Sequence, residues 1–461
     1  MTKENNGTPE FLKDALKFGI NLGLDRMNKL DEILGDPQKK FKVIHIAGTN
    51  GKGSTAAYTA SILAASGKKV GVYTSPFLER FSERMRVIDG REGLDKLLTD
   101  EAYGEIDADT LSKYSEEVRI AAEKMTSEGY EHPTEFELVT AICYLWFAEK
   151  EIDIAVLETG LGGRLDSTNV IADPVCTIIT AIGMDHTDRL GNTIAEITGE
   201  KAGILKSGSP AVVSSPDEML ISPEERKDVK RVIDERAAEL GVDVTYVTAG
   251  DCDISFSEDG YMGFTYEGKR FRTRLLGKHQ TRNAAAAIEA CRIAGADEES
   301  IEYGITNAVW KGRAECLSLD PVVVLDGGHN KQCAESLTDV LREMLGGKLR
   351  GRRMRVVMGA MKDKDVDGML ETLKAGGVSF DEVFAVKVNN PRTMLPDELS
   401  EKLELVYNNK VKAVCYDDAV TAVLEAFRRS AEDGTPLLVT GSLYLIGEIR
   451  GALRAEIKRM K

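Results

Sequence analysis

Gly48-Thr49-Asn50-Gly51-Lys52-Gly53-Ser54 stands between an apolar run, Val43 to Ala47, and an alanine-rich stretch of helical pattern, Ser54 to Ala65. Strand, glycine turn and helix in that order make an anion site. Glycine lets the backbone take positive φ and approach an oxygen closely, and the free N–H groups at a helix start attract phosphate. Lys52 adds a point charge for the β and γ phosphates, and Ser54 supplies a hydroxyl for a magnesium ion. The spacing departs from the common G-x-x-x-x-G-K-[ST] form, with two residues before the second glycine and a glycine between lysine and serine. A plain turn with a solvated lysine is the competing reading. It leaves the flanking strand and helix unexplained, so ATP is the expected ligand of this loop.

Outward from the loop, short β-branched runs alternate with longer helical stretches, which predicts parallel strands joined by crossover helices. Strands are expected at Val43 to Ala47, Lys69 to Thr74, Ile152 to Leu157, Val175 to Ile182 and Pro210 to Val213. Helices are expected at Ser54 to Ala65, Thr110 to Glu128 and Phe136 to Lys150. A more polar β excursion covers Val244 to Leu276, with a hairpin turn at Ser257-Glu258-Asp259-Gly260. A second series runs through Pro321 to Leu325, Arg353 to Met358, Glu382 to Val388, Lys412 to Tyr416 and Pro436 to Thr440. At 461 residues the chain exceeds what one core usually supports. The restart therefore predicts two α/β domains, residues 1–308 and 309–461, with a cleft between them. The first is a phosphate-loop domain with a mostly parallel sheet and the small β excursion; the second is a smaller Rossmann-like domain.

Composition narrows the function classes. Against 60 Lys and Arg stand 76 Asp and Glu, a formal net charge of −16 that opposes nucleic-acid binding through the phosphate backbone. No apolar run has the length of a membrane span or the shape of a signal peptide, so a cytoplasmic protein is expected, with no membrane partner. Seven cysteines without a C-x-x-C pair predict reduced thiols.

In an open parallel sheet, ligands bind beyond the carboxyl ends of the strands. Ser75-Pro76 follows the second predicted strand, Glu158 with Gly160-Leu161-Gly162-Gly163 the third, and Asp185-His186 the fourth. Magnesium takes oxygen ligands from one or two protein groups plus phosphates and water, and Ser75 and Glu158 fit that need. Singly, each has a bland alternative: a solvated carboxylate, a turn serine, a structural histidine. Their shared end of the sheet favours function.

Further motifs extend the pattern: Leu22-Gly-Leu-Asp-Arg26-Met, Thr134-Glu-Phe-Glu137, Glu158 to Asn169, Glu200-Lys-Ala-Gly-Ile204 and Gly277-Lys-His-Gln-Thr-Arg-Asn283. Trp310-Lys-Gly-Arg313, Asp326-Gly-Gly-His-Asn330 and Thr440-Gly-Ser-Leu-Tyr444 follow. Together with His45 to Ser54, Thr74-Ser-Pro76 and Asp185-His186, these resemble the folylpolyglutamate synthase and dihydrofolate synthase family. That family is related to the ATP-dependent amino-acid ligases that build bacterial cell walls. The resemblance covers nearly the whole chain.

The resemblance implies a first domain that holds phosphates and folate, and a second that clamps the nucleotide and binds glutamate. It implies Ser75 and Glu158 as ligands of one magnesium ion and His186 of a second. Lys201 matches a lysine that relatives carry as a carbamate; without the family it reads as a solvated helix lysine. Asn283, Arg313 and Asp326 become nucleotide contacts, and His329 and Ser442 glutamate contacts. Lys52, Lys201, His186 and His329 are thereby the expected catalytic residues. For the pterin, Phe136 is expected to stack and Glu137 or Asp166 to pair with polar edges, beside Thr134. Core packing is the alternative for Phe136. The Thr-Glu-Phe-Glu loop resembles members restricted to polyglutamate extension.

The implied reaction joins L-glutamate to the γ-carboxylate of a reduced folate. The carboxylate takes the γ-phosphoryl of ATP, and glutamate's amine displaces phosphate from the acyl phosphate. A monomer acting on these small molecules is expected. Three rivals stand beside this reading: a bifunctional enzyme that also makes dihydrofolate from dihydropteroate, a cell-wall ligase, and a nucleotide-switched binding protein without ligase activity. Gly53 opposes the second, whose loop places Thr or Ser directly after the lysine. Glu158, His186 and Lys201 together oppose the third.

Overall fold

Val43–Ala47 and Ile154–Leu157 are almost wholly apolar, which suits strands buried on both faces of a parallel sheet rather than strands with one wet face. In the computed structural model, which describes residues 7–249, 255–257, 259–344, 353–408, 411 and 413–460, the two lie side by side. Seven strands form the first sheet: β1 (Lys42–Ala47), β2 (Lys69–Tyr73), β3 (Met85–Asp89), β4 (Ile154–Glu158), β5 (Cys176–Ile179), β6 (Ala211–Ser214) and β7 (Val244–Val247). Their order is β3-β2-β4-β1-β5-β6-β7, parallel except where β3 runs against β2. Chain order reverses around β1, so the carboxyl ends of β1, β4 and β5 open onto a common edge where ligands of such sheets bind.

Helices cover both faces. The Ala-rich helix Lys52–Ala65 is buried nearly all round, against the sheet and the helix Glu298–Asn307. The helix Glu135–Glu149 begins at a Thr134/Glu137 capping box and places Ile142, Tyr144 and Phe147 in the core with Leu138 and Trp146. Each fully buried aliphatic or aromatic side chain of this kind contributes about 1.5–3 kcal/mol relative to exposure.

β8 (Ser255–Phe256), β9 (Met262–Tyr266) and β10 (Lys269–Thr273) form a separate antiparallel sheet in the order β10-β9-β8. A third sheet holds β11 (Glu315–Leu319), β12 (Val322–Asp326), β13 (Met354–Met358), β14 (Phe380–Val386), β15 (Ala413–Tyr416) and β16 (Leu437–Thr440). Its order is β11-β12-β16-β13-β14-β15, with only β11 antiparallel to its neighbour among the described pairings.

The chain forms two compact units: Met1–Gly250 with Thr281–Val309, and Asp251–Gln280 with Trp310–Lys461. Sequence placed the β excursion in the first domain, whereas residues 251–280 belong to the second unit. The reason lies in packing: Met262 and Leu276 share a buried cluster with Ala314 and Val340. The excursion also begins later than its expected start. Val244–Val247, read as part of it, extends the first sheet as a parallel edge strand, and its half-exposed pattern explains the polar reading. Two antiparallel edge strands, β3 and β11, escaped the sequence reading because Met85-Arg-Val-Ile-Asp and Glu315-Cys-Leu-Ser-Leu mix polar and apolar residues. Of the expected hairpin turn, Glu258 lies outside the described residues, as does Lys412 of an expected strand; Ser257 N–H donates to Tyr261 O at 2.9 Å across that turn. Among the described residues, no helix is long and apolar enough to cross a membrane.

Candidate active site

The loop after β1 makes demands that only glycine meets at two points. Gly48 has φ +156°, and a Cβ there would stand 1.8 Å from Thr180 Oγ1. Gly51, at φ +94°, precedes the helix Lys52–Ala65, and its Cβ would stand 2.4 Å from Asn283 Oδ1. Asn283 therefore lies against the loop, in the same unit. The loop is pinned to the segment beyond β5: Thr49 N–H donates to Ala181 O at 2.9 Å, and Thr49 Oγ1 donates to Gly183 O at 3.0 Å. Asn50 N–H also reaches Ala181 O, at 3.2 Å, and Ser54 is buried in the first helical turn with Gly53 before it. Gly48→Ala is expected to weaken ADP binding about tenfold or more, since strained φ and a displaced Thr180 together cost about 1–3 kcal/mol in the loop. Calorimetric titration with ADP checks it; unchanged affinity at unchanged melting temperature refutes it.

Two amines meet on one oxygen. Lys52 Nζ donates to Gly48 O at 3.1 Å, and Lys201 Nζ, from the helix Ile194–Ala202, donates to the same oxygen at 3.0 Å. Lys201 is only 3% exposed, which corrects its reading as a solvated lysine. Burial, and then the charge of Lys52, pull its pKa from 10.5 to about 7, with Asp185, Asp166 and Glu200 opposing. Its protonated form is thereby disfavoured relative to an ordinary lysine. Glu158, the last residue of β4, is buried with Oε1 3.9 Å from Lys52 Nζ and Oε2 accepting from Ser75 N–H at 3.4 Å. Lys52, Glu158, Ser75 and Lys201 are thus gathered around the phosphate loop.

These groups can hold a divalent cation only jointly with a ligand. Among the described residues, no three His, Cys, Asp or Glu side chains form a metal site by themselves. A carboxylate and a hydroxyl beside a phosphate loop are, however, the oxygen donors magnesium takes when phosphates complete its shell. His186 sits in the left-handed region at φ 48°, at the start of the short helix Thr187–Leu190, with its side chain half exposed. Its neighbour Asp185 acts electrostatically on Lys201 and was the residue sequence reasoning underweighted.

The predicted pterin contacts separate. Phe136 packs on Gly160, whose Cβ would stand 2.5 Å from the ring, and lies 5.9 Å from the Tyr73 centroid and from the Arg84 guanidinium carbon. It is partly buried and borders the glycine-rich loop, and Arg84 is a neighbour that the sequence did not suggest. Thr134 and Glu137 are otherwise engaged. Glu137 Oε2 accepts from Thr134 N–H (2.7 Å) and Oγ1 (2.8 Å), and Arg26 Nε lies 3.1 Å from Glu137 Oε1. Asp166 is similarly occupied: it accepts from Leu161 N–H at 2.8 Å and Thr168 N–H at 3.0 Å. Thr168 Oγ1 gives its hydrogen to Asp166, so His45 Nε2, 2.8 Å away, donates to Thr168, and burial drops the His45 pKa to about 3. Capping, ion pairing and loop bracing are what these polar groups do here.

In the second unit, Asp326 ends β12 and accepts from Ala314 N–H (2.9 Å) and Gly328 N–H (2.8 Å). Burial raises its pKa, and the Arg313 charge opposes that. Glu315 braces the Arg313 segment from the other side, accepting from Gly312 N–H at 2.9 Å while gripping the buried Arg450 at 2.6 Å. His329 Nδ1 lies 3.3 Å from Gly327 O. Ser442, buried beyond β16, accepts from Tyr444 N–H at 3.1 Å. The two loops touch, since a Cβ on Gly327 would stand 2.3 Å from Leu443 Cδ2. Arg313, Asp326, His329 and Ser442 therefore share one end of this sheet.

A phosphate loop with a buried carboxylate and a buried amine, on a chain whose second α/β unit presents its own strand-end loops, suits a ligase that activates its acceptor with a nucleotide, and family models give the class as Mur ligase. Residues 110–291 match the Mur ligase middle domain and residues 312–443 the Mur ligase glutamate ligase domain. The chain is 36% identical to the dihydrofolate synthase/folylpolyglutamate synthase of Bacillus subtilis, across 96% of this chain and 98% of that one. Mycobacterium tuberculosis folylpolyglutamate synthase, solved with ADP and AMPPCP, superposes with a TM-score of 0.79 at 26% identity, covering 96% and 97% of the two chains. An Escherichia coli protein solved in complex with DHPP and ADP gives 0.76 at 29% identity, covering 99% of each. The chain belongs to the folylpolyglutamate synthase/dihydrofolate synthase family, and it is a ligase.

Proposed function

We propose that this ligase uses ATP to activate the γ-carboxylate of a reduced folate and joins it to the amino group of L-glutamate, releasing ADP and phosphate. The observation that carries the reading is the meeting of Lys52 and Lys201 on the Gly48 carbonyl, beside Glu158. A carboxylate is anionic and a poor acyl donor, so phosphorylation has to precede amide formation. The positive end of the helix Lys52–Ala65 and Lys52 offset charge on the transferring phosphoryl, where catalysis of this step mainly acts. Magnesium, held by Ser75 and Glu158 with His186 serving a second ion, supplies further charge neutralisation when bound. Lys201, an amine with pKa about 7, is suited to take up CO₂: the lone pair of the neutral nitrogen attacks carbon, one proton leaves, and an anionic carbamate replaces the neutral amine.

In this reading the first unit serves ATP and folate, with Asn283 at the nucleotide and Phe136 at the pterin. The second unit serves the nucleotide through Arg313 and Asp326 and glutamate through His329 and Ser442. The Bacillus subtilis relative, a dihydrofolate synthase/folylpolyglutamate synthase, favours a second reading, in which dihydropteroate is also an acceptor. One assay tests both. Glutamate-dependent ADP release is measured with tetrahydrofolate and with dihydropteroate side by side. Release with tetrahydrofolate is expected. Release only with a nucleotide-linked peptide overturns the folate reading, and none with any acceptor makes the chain a binding protein.

A further inference from the structure

A γ-linked oligoglutamate carries one free α-carboxylate per residue, so an enzyme that lengthens it handles a flexible polyanion. The chain has a net charge of −16, a field that opposes such a ligand, and any hold on it must be built locally. The small antiparallel sheet of the second unit has the means. β10 lies at its edge, and strand alternation turns Phe271 and Thr273 inward and Arg270 and Arg272 outward. Arg274 continues the row, and all three arginines are exposed.

Their neighbours hold the guanidiniums in place, and one carboxylate, Asp259 beside Arg272, offsets part of the row's charge. The Tyr261 ring lies 4.4 Å from the Arg272 guanidinium carbon and 5.2 Å from that of Arg274, and Arg274 Nε donates to the Tyr261 hydroxyl at 2.8 Å. Arg270 spans the side-chain-free Gly263 and donates to Ser255 Oγ at 3.1 Å. Among the described residues Arg270 meets no carboxylate, and Asp259, 2.6 Å from Arg272, is the acid paired with the row.

We propose that Arg270, Arg272 and Arg274 form a docking surface for the poly-γ-glutamate tail of the acceptor, an inference that rests on the folate reading above. Alternate residues on a strand stand about 7 Å apart. Successive α-carbons of a γ-linked chain, each bearing a carboxylate, are five bonds apart, about 6 Å at full extension. The two ladders match in scale, and each guanidinium fork has N–H groups left for a carboxylate. One exposed pair contributes little and is screened by salt, so the hold grows with the number of glutamates engaged.

The test is the full-length triple variant R270Q/R272Q/R274Q, assayed with mono-, tri- and hexaglutamyl tetrahydrofolate at low and high ionic strength. Monoglutamate turnover is expected to stay within about twofold of wild type, which also shows that the variant folds. The KM for the hexaglutamate is expected to rise about tenfold, and high salt to impose a similar rise on wild type. A KM unchanged for every tail length, or raised equally for all, overturns the proposal while leaving the folate reading standing. A wild-type enzyme that turns over none of these acceptors removes the folate reading itself, and this proposal with it.

Discussion

Lys52→Ala is expected to lower kcat by about a thousandfold while ADP still binds. The nitrogen sits 3.1 Å from Gly48 O and 3.9 Å from Glu158 Oε1, in a largely buried position where a charge acts through low dielectric. Removing one preorganised donor from a developing charge costs about 10²–10³ in rate, and a cation placed on a transferring phosphoryl is worth about 10³–10⁵. The loop N–H groups and the helix start remain, so affinity for ADP falls far less than turnover. Lys52→Arg is not expected to rescue, because a planar fork does not replace a compact ammonium folded onto its own loop. A second readout separates chemistry from damage. After burial, Lys52 is the main cause of the low Lys201 pKa, so in the alanine variant Lys201 becomes more basic. If turnover needs the neutral amine or its CO₂ adduct, the acid limb of the residual pH–rate profile moves to higher pH. A kcat loss below about tenfold would take Lys52 out of the chemistry.

The parts of this site that could be read in the sequence are those where chemistry follows a strand directly. Gly48 to Ser54, Ser75 and Glu158 each come within a residue or two of a β-branched run, and the parallel sheet necessarily brings those ends together. Lys201 is different. Nothing in Glu200-Lys201-Ala202 says that the side chain is buried, because burial comes from the packing of its helix over Gly163, whose Cβ would meet the Lys201 Cα at 3.1 Å. The expected polar pterin contacts have a common form. Thr134-Glu-Phe-Glu137 is a capping-box pattern, T-x-x-E before an apolar run, and that local signal accounts for both polar residues. Asp166-Ser-Thr168 is likewise an Asx-type start to a helical turn. In each case a short-range hydrogen-bond motif engages the polar groups expected at the substrate. The β excursion went to the wrong unit because its sequence shows strand pattern and turn but not which apolar face Met262 and Leu276 would join.

Lys201→Met is expected to do two opposite things, and their combination is hard to produce by damage. The folded chain holds this amine at a pKa of about 7, whereas an unfolded lysine titrates near 10.5. Between those values the unfolded state binds more protons, so this residue makes wild-type stability rise with pH from about 7 to 10.5. Below about pH 7 the cost of burying the group is fully present, at most about 5 kcal/mol. Methionine is similar in length and carries no charge, and loses one hydrogen bond to Gly48 O, about 1 kcal/mol. The variant should therefore resist urea better than wild type at pH 6.5, by about 2–4 kcal/mol, with the advantage shrinking towards pH 10. Its turnover should fall at least about a hundredfold, as expected for losing a group that supports a metal-bound nucleotide. Bicarbonate discriminates further: wild-type rate should drop in CO₂-depleted buffer and recover on adding bicarbonate, while the methionine variant stays flat. A variant that is less stable at pH 6.5 would mean that Lys201 is held charged by partners, and the amine could not then be the acceptor of CO₂. Stability that is gained without loss of turnover would leave Lys201 a buried spectator, and the metal would have to be held by Ser75, Glu158 and phosphate alone.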